Sequence, residues 1–94
     1  MTVHVIGRIT VRDGVAWDDY RSRVPATLEP WGGRVLARGR RAAAFDGDEP
    51  HADVVVLEFP DLAAATGWHE SPAYRALVPL RRRAADVVLT AYAS

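Results

Sequence analysis

Four aliphatic residues in a row, Val54-Val55-Val56-Leu57, are followed at once by Glu58-Phe59-Pro60. A continuously apolar run of this length, bounded by Asp53 and closed by a proline, reads as a strand with both faces covered, in the middle of a sheet. Pro60 cannot continue the strand, and Asp61 behind it is a helix cap. A second helix start follows at Ser71-Pro72, where a hydroxyl cap precedes a proline at the first helical position.

The remaining segments take their places around that strand. Val3, Val5, Ile9 and Val11 alternate with His4, Arg8 and Thr10, the period of a half-buried strand, with Ile6 an apolar exception on the second face. Asp13-Gly14 ends it, with Asp13 a cap for the next helix. Trp17, Tyr20, Val24 and Leu28 then make one helical stripe, extended by Trp31. Pro25 predicts a kink or restart near Val24, and Gly32-Gly33 a stop. Arg34 to Phe45 is a second strand candidate, followed by a turn at Asp46-Gly47-Asp48-Glu49-Pro50. Leu62, Ala65 and Trp68 belong to a short helix. Tyr74, Leu77 or Val78, Arg81 and Ala85 belong to the last one, with Pro79 inside it as a bend. Val87 to Tyr92 is the last strand. The order is βαββαβ, the ferredoxin-like plan of a four-stranded antiparallel sheet. Its second and fourth strands lie at the edges. Right-handed crossovers put both helices on one face. The bare face then needs a cover, and a second copy is the simplest one.

Ninety-four residues make a single α+β domain, residues 1–94. A chain this short buries only roughly 60–65% of its unfolded surface, so a homodimer would help it. The formal charge is zero, which argues against a general nucleic-acid binder. No run approaches the ~20 apolar residues of a membrane span, and no signal layout opens the chain, so a soluble cytoplasmic protein is expected. There is no cysteine, and His4, His51 and His69 lack ligand spacing; no metal and no cofactor are expected.

Tyr20, Gly32-Gly33 with Val35-Leu36-Ala37-Arg38-Gly39, Glu58-Phe59-Pro60, Trp68, Ser71-Pro72, Tyr74 and Arg81 together resemble the bacterial "domain of unknown function 1330" family. The resemblance runs from about Val5 to Tyr92. It implies a homodimeric α+β barrel, in a superfamily that also holds cofactor-independent oxygenases, lactone isomerases and polyketide-tailoring enzymes. Relatives often carry a glycine where this chain ends in Ala91-Tyr92-Ala93.

Several side chains are candidates for chemistry. Glu58 shares a face with Val54 and Val56, and a carboxylate on an inner strand must be paired or protonated. It is a general base with a raised pKa, or an anchor for a substrate hydroxyl, or the partner of Arg41 or Arg38. Arg81 falls on the inner stripe of the last helix. There it can clamp a carboxylate or enolate, or pair with Glu58. Trp17, Tyr20, Trp68 and Tyr74 form either core or the lining for a flat aromatic ligand, with polar tips that need partners. His69 is a turn histidine, solvated or acting as acid or base. Arg34, Arg38, Arg40 and Arg41 read as edge-strand charges that discourage aggregation. Arg38 is singled out by the family pattern. The catalytic candidates are thus Glu58, Arg81 and His69. The substrate-binding candidates are Tyr20, Arg38, Trp68, Ser71 and Tyr74. The expected function is a cofactor-independent isomerase, cyclase or monooxygenase acting on an activated carbonyl or aromatic compound. The alternative is a non-catalytic ligand-binding or structural dimer module.

Overall fold

A computed structural model describes residues Met1–Ser94. Strand β1 spans Val3–Val11 and helix α1 Gly14–Leu28. A 3-10 turn at Glu29–Trp31 leads to β2, Arg34–Arg40, and then to β3, Asp53–Phe59. Three helices follow: α2 Leu62–Glu70, α3 Pro72–Arg75 and α4 Val78–Ala84. Strand β4, Ala85–Ala93, closes the chain. The strands form one antiparallel sheet in the order β2-β3-β1-β4. The Val54–Leu57 run therefore lies on an inner strand, as its composition requires.

The caps stand where the sequence places them. The carboxylates of Asp13 and Asp61 accept the N–H groups of Ala16 and Ala64. Ser71 Oγ accepts that of Tyr74. Gly32 ends the 3-10 turn at φ 66°, a left-handed conformation that glycine takes without strain.

Four boundaries differ from expectation. Helix α1 runs through Pro25 without restarting, although the proline takes one N–H, the donor to the Arg21 carbonyl, out of the ladder. Strand β2 stops at Arg40 instead of reaching Phe45, and residues 41–45 are irregular and exposed. The last helix is two pieces, and Pro79 begins the second within its first turn instead of bending a single one. Ala85 opens β4 and is not helical.

One face of the sheet carries Val3, Val5, Leu57 and Phe59 against Tyr20, Val24, Leu28, Trp68 and Tyr74 of the helices, all buried in one core. The opposite face carries His4, Ile6, Arg8 and Thr10 of β1 beside Val54, Val56 and Glu58 of β3, all only half-buried. The Cα envelope is 16 Å in its thinnest direction, one sheet and one layer of helices. At one end of the open face the β2–β3 connection folds inward. Glu49 holds Arg8 through two hydrogen bonds, at 2.9 and 3.2 Å, and His51 Nδ1 lies 2.9 Å from Thr10 Oγ1. Phe45 on the same connection is 93% exposed.

Candidate functional site

A cavity of about 280 Å³ lies between α1 and the sheet, on the β2 side. Trp17, Tyr20 and Val24 of α1 line one wall, and Ile9, Val55 and Leu57 of the inner strands line the other. Trp17 and Tyr20 stack with ring centroids 5.0 Å apart, so the helical wall is a continuous aromatic surface. Arg21, Arg38 and Asp53 also line the cavity; the two arginines are exposed, and Asp53 is half-buried like Val55.

Arg38 reaches this cavity because β2 is irregular. Val35 pairs with Leu57, but the register then shifts, and Ala37 pairs with Val56 and Arg38 with Val55. Plain alternation from Val35 would carry Ala37 to the helix side. The bulge at Leu36 changes the parity and brings Arg38 there instead. Nothing in the composition of β2 signals that irregularity.

A polar chain runs from Arg81 of α4 through Tyr74 of α3 to Tyr20 of the cavity wall. Arg81 Nη1 donates to the Tyr74 hydroxyl at 2.8 Å, and the Tyr74 and Tyr20 hydroxyls share a hydrogen bond of 2.9 Å. The Arg81 guanidinium also lies 6.0 Å from the centre of the Tyr74 ring. Burial pushes the Tyr20 phenol far above its ordinary pKa, and Tyr74 adds to that shift, so Tyr20 is a neutral hydroxyl.

The other candidates occupy different places. Ser71 is buried as the α3 cap, and its hydroxyl donates to Trp68 O; it lines no cavity. Trp68 is 1% exposed and packs on Phe59 and Tyr74. Its indole N–H donates to Thr27 Oγ1 at 3.0 Å, and Thr27 is a buried partner that no motif announces. Trp68 and His69 line a second cavity of about 210 Å³, between α2 and the β4 side of the sheet. Partial burial, with Arg75 and Arg81 nearby, lowers the His69 pKa below its usual value.

Glu58 stands apart from all of these. It lies on the open face, where Arg34 donates to Oε1 at 2.9 and 3.1 Å and His4 Nε2 lies 3.3 Å from Oε2. The hydrogen bond from Arg34 holds its carboxyl below the ordinary glutamate value, more than its partial burial raises it. The raised pKa expected of a general base is not found. Its arginine partner is Arg34, not Arg41 or Arg38, because Arg34 is its register neighbour on β2. Arg81 pairs with Tyr74 and not with Glu58, since the two lie on opposite sides of the sheet. No group of His, Asp and Glu side chains is arranged to hold a metal ion.

Residues 2–93 match the family model described as "Domain of unknown function (DUF1330)". The chain belongs to the DUF1330 family. Solved structures share the fold of this DUF1330 domain. A protein of unknown function from Rhodopseudomonas palustris, RPA0582, is 24% identical with a TM-score of 0.81, over 97% of this chain and 80% of that one. SnoaB, a cofactor-independent oxygenase from Streptomyces nogalater, is 14% identical with a TM-score of 0.73, over 99% and 92%. A dimeric ferredoxin-like protein of unknown function from Jannaschia is 11% identical with a TM-score of 0.68, over the full length of both chains. No curated protein matches the sequence. No helix of the domain is long and apolar enough to cross a membrane.

Proposed function

We propose that this DUF1330 domain takes a small organic molecule into the cavity under α1 and acts on it without a cofactor, as an isomerase, cyclase or monooxygenase of an activated carbonyl or aromatic compound. The observation that carries the proposal is the cavity itself. Its walls are apolar and aromatic, and one polar residue among them, Tyr20, is tied to a cation through Tyr74. Apolar concavities with a few convergent polar groups are what small-molecule sites are made of. A neutral phenol backed by a guanidinium can donate to a carbonyl oxygen and stabilise the negative charge that enolisation or oxygenation places there. The fold is compatible with cofactor-independent chemistry, since SnoaB, which shares it, is a cofactor-independent oxygenase. Arg81 acts in this scheme through Tyr74. His69 has the protonation state of a base at neutral pH but faces the second cavity.

A homodimer is part of the same proposal. A twin laid on the open face would cover Ile6, Val54 and Val56 and turn the His4–Glu58–Arg34 cluster into an interface.

A non-catalytic binding module is favoured by a separate observation. No histidine lines the cavity, and its single carboxylate, Asp53, lies 3.8 Å from Arg40. Proton transfer would then have to begin on the ligand. Titration with a panel of aromatic ketones and acids, followed by methyl NMR, tests the site. The methyl signals of Ile9, Val24 and Val55 are expected to move, and those of Ile6 and Val88 to stay. If no compound moves the first set, the cavity is not the site. Turnover of the bound ligand that Tyr20→Phe abolishes even at saturating ligand would mark an enzyme, and binding with no turnover a binding module.

A further inference from the structure

On the footing that this cavity is the ligand site, we propose that its ligand is an aromatic acid: a flat apolar ring system bearing a carboxylate that the Arg38 guanidinium receives.

The charges and hydrogen-bond donors around the cavity are not fully matched within the protein. Arg21 has a carboxylate beside it, Asp18 at 3.1 Å. Asp53 has a guanidinium, that of Arg40. Arg38 has neither a salt bridge nor a hydrogen bond, although every other arginine of β2 has a carboxylate within 4 Å. One positive charge is thus left over at the edge of the cavity, and no negative charge is.

The phenols add a second spare donor. Arg81 can only donate, so the Tyr74 oxygen accepts from it. Two phenols that share one hydrogen bond have two protons between them, and one of these finds no acceptor in the protein. Tyr74 is fully buried, whereas Tyr20 lines the cavity. The satisfied order is therefore Arg81 to Tyr74 to Tyr20, with the Tyr20 proton left for whatever occupies the cavity. The unpaired polar groups of the cavity are a cation and a donor, and its one carboxylate, Asp53, already has the Arg40 guanidinium beside it. The cavity suits a ligand that brings acceptors and one negative charge, and it disfavours amines and cations. The Trp17–Tyr20 stack facing Val55 and Leu57 suits a flat ring.

Calorimetric titration of the full chain with naphthalene-2-carboxylate and with naphthalene-2-carboxamide tests this. The two probes share shape and acceptor oxygen and differ in charge. The carboxylate is expected to bind about tenfold tighter, the scale of one charge-assisted hydrogen bond. Arg38→Gln should erase that preference. Arg83→Gln, a control at an exposed arginine remote from the cavity, should keep it. Tyr20→Phe, which retains the ring, should weaken both probes. Equal affinity for the two probes in the wild type, or a carboxylate preference that survives Arg38→Gln, would overturn the aromatic-acid assignment and leave the cavity as a site for neutral molecules. Failure of both probes to bind would overturn the site and the assignment together.

Discussion

The Thr27 hydroxyl accepts the indole N–H of Trp68 in the middle of the core, where neither side chain meets water. Thr27→Val keeps the shape and strands that N–H. The expected cost is about 1–3 kcal/mol, read as a lower midpoint in urea with an unchanged slope. Glu58 supports a prediction about acid. Its carboxyl titrates below the ordinary glutamate value in the folded state, chiefly through Arg34. A depressed carboxyl contributes stability that is present above its unfolded value, about 4.3, and is lost as pH falls through the folded one. Wild-type stability should therefore fall below about pH 4.3, and the fall should be shallower in both Glu58→Gln and Arg34→Gln. Identical acid curves for wild type and variants would mean the pair contributes nothing. At this scale sequence reasoning separates residue types well and partners poorly. It marks Tyr20, Tyr74 and Arg81 as polar groups on inner stripes. It does not show that they bond to one another, because that depends on how α1, α3 and α4 lie together.

Helix α2 rests on Trp31 through a glycine. A Cβ placed on Gly67 would stand 2.3 Å from the Trp31 ring. Alanine here gains up to about 1 kcal/mol of helix propensity but forces an overpacked contact that costs about 1–3 kcal/mol. Gly67→Ala should therefore lower stability, and the same change in a Trp31→Ala background should raise it, as a thermal double-mutant cycle would reveal. Opposite signs in the two backgrounds are the required outcome. At the level of elements the sequence is most legible where one residue has one job, as in the caps Asp13, Asp61 and Ser71 and the stop at Gly32. It is least legible from Arg34 to Phe45, where small and charged residues leave no periodicity to read. Both the early end of β2 and its change of register fall in that stretch.

For the molecule as a whole the open sheet face is the dominant feature. Val56 lies on that face, on an inner strand, with half-buried Ile6 opposite it on β1 and Thr90 beyond on β4. If a twin covers it, sedimentation at micromolar concentration should give twice the 10.3 kDa chain mass. Val56→Arg should then give a monomer of reduced stability, because the new charge could not be buried at the interface without a partner. A wild-type chain that sediments as a monomer would remove the interface from the functional proposal. The layer order and the helix-bearing side follow from strand periodicity and crossover handedness, and these are visible in the chain.

The extra residue in β2 has one more consequence. Closing the bulge with Leu36 retained would restore strict two-residue periodicity to that edge, turning Arg38 outward and Ala37 inward, whereas deleting Leu36 would leave Arg38 facing in. With the bulge closed, the charge selectivity of the chamber would be altered by strand register alone, with no side chain replaced. Within this fold, a one-residue slip of register at a sheet margin is a route to new ligand preference that needs no substitution in the chamber wall.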